Sequence, residues 1–193
     1  YLLLKKIAQL LKENILPLIP QEGSVGASGD LTPLSYLAAV LSGERDGIYQ
    51  QKKQPTVDVY KGLNISPLLL KPKEGLAIMN GTAVMTAVAC LASQRAEYLS
   101  QLCTRITSLA SMALSGNVFH FDEKLFSVKP HNGQIKVAAR IRGDLHCLAE
   151  TPRNDNRLQD RYSIRCAPHI IGVLEDGLPL FRQFIENELN SAN

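Results

Sequence analysis

The chain has 193 residues, a formal net charge of +3 and a composition that is 45% hydrophobic and 20% charged. These proportions are ordinary for a soluble globular protein, and the length fits one large domain or a part of something longer. The basic residues are scattered and are not interleaved with aromatic side chains, so we expect no nucleic-acid partner.

The first quarter of the chain predicts two helices separated by a glycine-rich segment. Apolar residues recur at helical spacing over Leu2–Leu18, where we predict the first helix. After the segment Gly23–Gly29, Thr32 can cap a second helix that has Pro33 at its first position. This second helix is predicted to run to Gly43.

The middle of the chain predicts one long helix. Residues 44–54 are polar and predict a loop or a short hairpin, and a brief helix follows over residues 56–61. No proline occurs from Thr82 to Gly116, and a helix of that length is on the order of 50 Å long. The residues are apolar nearly all round at first and amphipathic later, which is typical of a helix in a bundle core.

The longest charge-free run, Gly75–Gln94, approaches the length of a membrane-spanning segment. The run contains Asn80, Gly81 and several hydroxyl side chains, which a lipid-facing segment rarely carries. We therefore interpret it as a buried helix and expect no membrane partner.

The remainder of the chain predicts three more helices, over residues 121–130, 133–145 and 168–189, with a bend at Pro179. The predicted fold class is therefore all-α, an elongated bundle of long helices. Both ends fall inside helical patterns, so we expect residues 1–193 to be the central helical part of a longer polypeptide, truncated at both ends.

The segment GSVGASGDLTP, residues 23–33, has three competing explanations. A phosphate-binding loop is disfavoured, because neither GxxxxGK[ST] nor GxGxxG spacing occurs and a helix precedes the segment. A tight steric turn explains the glycines but not the order Ala-Ser-Gly. The third explanation, a segment that reacts with itself, uses each of these residues.

Ala27, Ser28 and Gly29 contain the atoms of a five-membered ring. Because Gly29 has no Cβ, its backbone nitrogen can reach the carbonyl carbon of Ala27. Ser28 has a β-hydroxyl that can leave as water, which turns its Cβ into a methylene. The product is an imidazolone with an exposed, electron-poor double bond, and Asp30 beside it is interpreted as a local cap or turn acceptor.

Three segments resemble the aromatic amino acid ammonia-lyases, which include histidine, phenylalanine and tyrosine ammonia-lyases and related 2,3-aminomutases. They are GASGDLTPLSYLA (26–38), PKEGLAIMNGTA (72–83) and LQDRYSIRCAPHIIG (158–172). Ala-Ser-Gly alone is weak support, but all three segments in this order make coincidence improbable. The resemblance covers essentially the whole chain and implies the all-α fold of the fumarase/aspartase-like superfamily.

The resemblance implies that Ala27, Ser28 and Gly29 form 4-methylideneimidazole-5-one (MIO) autocatalytically. It implies an enzyme, a carbon–nitrogen lyase that eliminates ammonia from an L-aromatic amino acid, with the isolated fragment expected to be inactive. An MIO-dependent aromatic 2,3-aminomutase is the alternative among enzymes. A non-catalytic helical oligomerisation scaffold is the alternative from another class.

The resemblance also implies four substrate-binding residues: Asn80, Gln159, Tyr162 and Arg165. Taken alone, Asn80 before Gly81 is typical of a turn at a helix start; in the family it is an amide near the ring and the substrate. The other three are spaced by three residues and predict a polar stripe on one helix face, which alone is typical of a solvated surface.

Arg165 has two interpretations. A guanidinium provides a bidentate contact for the carboxylate of an amino acid substrate, which is the role that the resemblance implies. The plain alternative is a surface ion pair with Asp160 or Glu175.

Three positions favour phenylalanine or tyrosine over histidine as the substrate. Histidine-specific members tend to have glutamine where this chain has Ala83 and proline where it has Arg161. They also tend to have APLAH where this chain has TPLSY, residues 32–36. The resemblance further implies a homotetramer in which active sites are shared between subunits.

The histidines and cysteines indicate neither a metal site nor disulfide pairing. No two histidines have metal-ligand spacing on one element, so we expect no metal. The four cysteines form no CxxC pair and no segment resembles a signal peptide, which indicates free thiols in the cytoplasm.

Overall fold

The structure, a computed structural model, describes residues 1–25, 29–147 and 154–192. It confirms a predominantly helical fold and divides the chain into two compact units. One unit comprises Tyr1–Val88 with the end of the chain, and the other comprises Ala89–Ser191. The long helix α5, Ala83–Ala113, begins in the first unit and continues in the second.

The described residues of the first unit form four shorter helices and a small antiparallel sheet. The helices are α1 Leu2–Lys12, α2 Leu31–Leu41, α3 Thr56–Gly62 and α4 Glu74–Met79. The strands, in the order β1-β2-β3, are Leu16–Pro17, Asp46–Tyr49 and Lys52–Pro55.

The predicted hairpin and brief helix in residues 44–61 are both confirmed. Tyr49 of β2 pairs with Lys52 of β3, and the two residues between them, Gln50 and Gln51, have φ values of +49° and +62°. Two consecutive positive φ angles match the turn geometry that a two-residue hairpin loop requires.

The predicted end of α1 and start of α2 were wrong. Helix α1 ends at Lys12, because Asn14 turns the chain with φ +53° and Ile15 then enters the core at 1% exposure. Helix α2 begins at Leu31 after Asp30, so Thr32 and Pro33 lie inside its first turn.

The second unit packs short and long helices around one apolar core. A 3₁₀ helix, Val118–Phe121, precedes α6 Glu123–Ser127, α7 Asn132–His146, α8 Tyr162–Arg165 and α9 Ala167–Leu189. The core consists of Val118, Phe121, Val137, Ile141, Leu145 and Ile164. Because Ile164 belongs to it, the core fixes the short helix that carries Tyr162 and Arg165.

The apolar part of α5 is mostly exposed in this chain. Within the described residues, one helical stretch, Glu74–Ala113, is long and apolar enough by length and composition to cross a membrane. Only 6% of its most apolar window is buried, so the prediction of a buried helix is wrong for the single chain. Large apolar side chains such as Leu91, Leu99 and Leu109 are more than half exposed.

Glu175 of α9 joins three helices of the second unit. Its buried carboxylate accepts hydrogen bonds from Ser100 Oγ of α5 at 2.6 Å and from Lys136 Nζ and Arg140 NH1 of α7 at 2.7 and 2.8 Å. Burial alone would raise the pKa of Glu175. The hydrogen bonds from Lys136, Ser100 and Arg140 outweigh burial and lower the pKa from 4.5 to about 2.

We expect Glu175→Gln to lower the free energy of unfolding of the full-length protein by about 3 kcal/mol at neutral pH. Because the folded-state pKa is depressed, this contribution is complete above about pH 4.5 and is lost as the pH falls through about 2. Urea unfolding at pH 7 and pH 3 measures the difference. Glu186→Gln, which affects only an exposed pair with Arg182, is the control. If wild type and Glu175→Gln differ in free energy of unfolding by as much at pH 3 as at pH 7, the prediction is contradicted.

Candidate functional site

The end of the Ala-Ser-Gly segment lies against the residue that follows Asn80. Gly29 has φ +81°, a conformation that favours glycine, and a Cβ at this position would lie 2.7 Å from the carbonyl oxygen of Gly81. The Asp30 backbone N–H donates to the same oxygen at 2.8 Å. The structure thus brings together two segments that lie about fifty residues apart in the sequence.

Ala27 and Ser28 lie outside the described residues, so the fit of the predicted ring is tested at Gly29. A residue whose nitrogen closes a ring on the carbonyl two positions earlier needs an unusual backbone turn and no obstructing Cβ. Gly29 meets both requirements. Its φ is left-handed, and it lacks a Cβ, which at this position would collide with backbone atoms of Gly81.

Asp30 fastens this segment to the start of α5. Asp30 is buried, with only 4% of the residue exposed. One carboxylate oxygen accepts from Ser24 Oγ at 2.7 Å and the other from the Met85 backbone N–H at 2.7 Å. Met85 lies in the first turn of α5, where N–H groups lack helical partners and negative charge is favourable.

Asp30 therefore has two capping roles. Its backbone carbonyl accepts from Leu34 N–H at 3.1 Å and starts α2, while its side chain caps α5. The prediction of a local cap or turn acceptor covers the first role. The second role, across 55 residues, has no local signal in the sequence.

We expect Asp30→Ala in the full-length protein to lower the free energy of unfolding by about 2 kcal/mol and to reduce ring formation. The reason is that the hydrogen bonds from Ser24 Oγ and from the Met85 N–H are both lost. Intact mass and thermal unfolding measure the two effects. Asp58→Ala, which affects only an exposed pair with Lys61, is the matched control. An unchanged fraction of cyclised protein would show that the two hydrogen bonds are not needed.

Asn80 lies in the turn between α4 and α5. Its backbone N–H donates to the Leu76 carbonyl oxygen at 2.9 Å, and the residue is exposed. Asn80 is therefore the C-cap of α4, and α5 begins three residues later at Ala83. The same turn contacts Gly29 through Gly81, so a turn role and a place beside the ring-forming segment are compatible.

A cavity of about 550 Å³ lies beside Asp30. Residues 19–24 line one side, and Val84, Met85 and Val88 of α5 line another. Its volume falls in the range of small-molecule sites. Apolar side chains from α5 line one side of it, and Gln21, Glu22, Ser24, Asp30 and Thr32 contribute polar groups.

The predicted stripe of Gln159, Tyr162 and Arg165 is only partly a helix face. Tyr162 and Arg165 are the first and last residues of α8, but Gln159 precedes the helix and is exposed. The reason is that Arg161 is extended, with φ −62° and ψ 150°, so helical geometry begins only at Tyr162.

Arg165 is oriented by two contacts. Its Cζ lies 4.2 Å from the centroid of the Tyr162 ring, and its Nε donates to the Asp160 carbonyl oxygen at 3.0 Å. Among the residues that the structure describes, its two terminal nitrogens have no hydrogen-bond or ion-pair partner. A ligand carboxylate can therefore accept from both of them.

The alternative of a surface ion pair for Arg165 is not supported. Glu175 is bound by Lys136 and Arg140, and the carboxylate of Asp160 accepts from the Asn117 N–H at 2.6 Å. Arg165 instead contacts the backbone of Asp160.

Asp160 contacts both Arg165 and His120, although no sequence motif links it to His120. Asp160 is 5% exposed, and its N–H donates to His120 Nε2 at 3.1 Å. The two residues are 40 positions apart, and His120 has no motif around it. Their pairing depends on tertiary structure alone.

The three positions from which a phenylalanine or tyrosine preference was predicted lie at or near helix starts. The ring of Tyr36 lies 4.2 Å from Arg45 Cζ, Ala83 is the first residue of α5, and Arg161 precedes α8.

The whole chain, residues 1–193, matches the family model described as aromatic amino acid lyase. It is 38% identical to histidine ammonia-lyase from Koribacter versatilis (strain Ellin345), over 99% of this chain and 37% of that protein. It is 40% identical to histidine ammonia-lyase from Geobacillus kaustophilus (strain HTA426), over 98% of this chain and 38% of that protein. The chain therefore spans less than two fifths of the length of these relatives.

Solved structures show the same fold. Tyrosine aminomutase from Streptomyces globisporus superposes with a TM-score of 0.85 at 34% identity, covering 100% of this chain and 40% of that one. Histidine ammonia-lyase from Trypanosoma cruzi has a TM-score of 0.85 at 32% identity, covering 97% and 34%. The predicted helical fold of the fumarase/aspartase-like superfamily is confirmed.

Proposed function

Because this chain belongs to the aromatic amino acid lyase family, we propose that the full-length protein eliminates ammonia non-oxidatively from an L-aromatic amino acid. The observation that carries the proposal is the backbone contact between Gly29 and Gly81, which joins the ring-forming residues to the Asn80 turn. The terminal nitrogens of Arg165, which have no partner among the described residues, support the amino acid as the class of substrate.

Ala27, Ser28 and Gly29 are proposed to form MIO, whose alkene supplies an electrophile for the substrate amine, since ammonia is a poor leaving group. Gly29 provides the backbone turn, and Asp30 holds the segment against α5. Asn80 provides a neutral amide beside this segment that can donate and accept hydrogen bonds.

The substrate carboxylate is proposed to bind Arg165. Nε is held by the Asp160 carbonyl and the guanidinium plane lies over Tyr162, so the two remaining nitrogens have a fixed direction. Such a fork orients a carboxylate more strictly than a lysine ammonium. Gln159 and Tyr162, which are exposed next to it, are proposed to complete the polar binding surface.

Histidine is the substrate that the relatives favour. The curated relatives named above are both histidine ammonia-lyases, at 38% and 40% identity. The preference for phenylalanine or tyrosine, which rests on Ala83, Arg161 and residues 32–36, is not confirmed and is the second candidate. A 2,3-aminomutase is a third, supported by the similarity to tyrosine aminomutase.

Feeding the full-length protein L-histidine, L-phenylalanine and L-tyrosine separately distinguishes these candidates. We expect urocanate from histidine, followed by its absorbance; cinnamate or coumarate indicates the second candidate. A β-amino acid product indicates an aminomutase. No product from any of the three would contradict the proposed function.

We further propose a homotetramer with active sites shared between subunits, in the cytoplasm. Support comes from exposed apolar side chains on α5 and α9, such as Leu99 and Phe184 at 53% and 58% exposure, because exposed apolar surface of this kind marks interfaces. The four free cysteines, Cys90, Cys103, Cys147 and Cys166, agree with a reducing compartment.

Hybrid tetramers test the shared sites. The Ser28→Ala protein is expected to be inactive and the Arg165→Ala protein to have kcat/KM reduced about 100-fold. At a substrate concentration far below KM, refolded mixtures are expected to recover part of the activity, since some sites then combine one intact Ser28 with one intact Arg165. Native mass spectrometry verifies that hybrids form. No recovery in verified hybrids would indicate that each site is contained within one chain.

A further inference from the structure

His120 is connected to Arg165 through the backbone of Asp160. His120 Nε2 accepts from the Asp160 N–H at 3.1 Å, and the Asp160 carbonyl oxygen accepts from Arg165 Nε at 3.0 Å. Both backbone hydrogen-bonding groups of Asp160 are therefore fixed, one by the imidazole and the other by the guanidinium. A displacement of Asp160 would move the guanidinium with it.

The 3₁₀ helix Val118–Phe121 holds the imidazole in place. Val118 and Phe121 on either side of His120 are 6% and 0% exposed, in the same core as Ile164 of α8. Arg142 also donates to the Phe121 carbonyl oxygen at 2.7 Å. His120 thus acts from a rigid, packed position, with its side chain 18% exposed.

The contact distances make His120 Nε2 the acceptor of the backbone N–H. Nε2 lies 3.7 Å from Asp160 Oδ2, too far for a hydrogen bond, whereas the backbone nitrogen of Asp160 lies at 3.1 Å. The Asp160 carboxylate meets the Asn117 N–H and Arg157 instead.

We propose that His120 is a positioning residue for substrate binding: it fixes Asp160 and thereby the direction in which Arg165 presents its two terminal nitrogens. This rests on the proposed function, in which Arg165 binds the substrate carboxylate. Loss of the imidazole leaves a buried N–H unpaired and allows residues 158–165 to shift. A shift of about 1 Å is enough to spoil a bidentate contact.

The test uses two substitutions in the full-length protein. His120→Leu removes the acceptor, and His120→Gln keeps a side-chain oxygen near the position of Nε2. His120→Leu is expected to raise KM about tenfold while kcat stays within about twofold, because the carboxylate contact is made equally in the ground state and the transition state. His120→Gln is expected to restore most of the KM, and His131→Leu, at an exposed histidine, is the control.

Amide hydrogen exchange provides a second readout that does not require activity. Exchange in residues 158–165 is expected to be about tenfold faster in His120→Leu and near wild type in His120→Gln. If His120→Leu does not fold, His120→Asn, whose amide is too short to reach the Nε2 position, replaces it. Unchanged KM in an active enzyme, or unchanged exchange, would overturn the positioning role. A wild type without activity would overturn the proposed function, and the exchange data would still decide the role of His120.

Discussion

Ser28→Ala in the full-length protein is expected to abolish formation of the methylene and to reduce ammonia elimination by about three orders of magnitude or more. Without the Ser28 hydroxyl no water can leave from Cβ, so no methylene and no electrophilic alkene can form. Intact mass measures this directly. The wild type is expected to be lighter than its residue sum by two water molecules, and the variant is not.

Ser35→Ala is the matched control for this experiment, because the same substitution is made seven residues later on α2. Ser35 Oγ donates to the Thr32 carbonyl oxygen at 2.7 Å, a local contact without a part in cyclisation. The control is expected to keep both the mass deficit and the activity. Full turnover by Ser28→Ala would contradict the MIO assignment, and a wild type of unmodified mass would favour a non-catalytic scaffold.

Arg165→Ala is expected to reduce kcat/KM about 100-fold, since two hydrogen bonds to the substrate carboxylate are lost. Arg165→Lys is expected to recover only a small part, because a lysine ammonium is a point charge without the planar fork. Steady-state kinetics with the preferred amino acid measures both variants.

Arg182→Ala tests whether the loss is specific to Arg165. Arg182 is an exposed arginine of α9 that pairs with Glu186, and its removal is expected to leave kcat/KM unchanged. Thermal unfolding of all variants separates binding from stability. Wild-type kinetics in Arg165→Ala would contradict the proposed carboxylate contact.

The elements of this fold that depend on local sequence could be predicted, and the elements that depend on distant partners could not. The hairpin at residues 44–54 was predictable because its polar, turn-forming character is local. The end of α1 at Lys12 was not, since Ile15 leaves the helix to reach a core that includes Val59 and Ile65. Apolar periodicity continues past that point and gives no sign of the break.

The candidate site shows the same division. The Ala-Ser-Gly chemistry and the role of the Asn80 amide rest on residue types and on resemblance, and both stay predictions. Gln159 was placed on a helix face because a spacing of three is helical, but the extended backbone at Arg161 delays α8 until Tyr162. The buried links from Asp30 to Met85 and from His120 to Asp160 join residues 55 and 40 positions apart.

The contact between Gly29 and Gly81 also constrains which substitutions the protein can accept over evolution. A side chain at position 29 would meet the carbonyl oxygen of residue 81, an atom that every amino acid has, so no change at position 81 can make room for it. Position 81 differs, since among the described residues a Cβ there would meet only Leu34 Cδ1, at 4.0 Å. Two positions in one contact can thus differ sharply in mutational tolerance: residue 29 has no compensating partner, whereas the described neighbours of residue 81 leave room for a side chain.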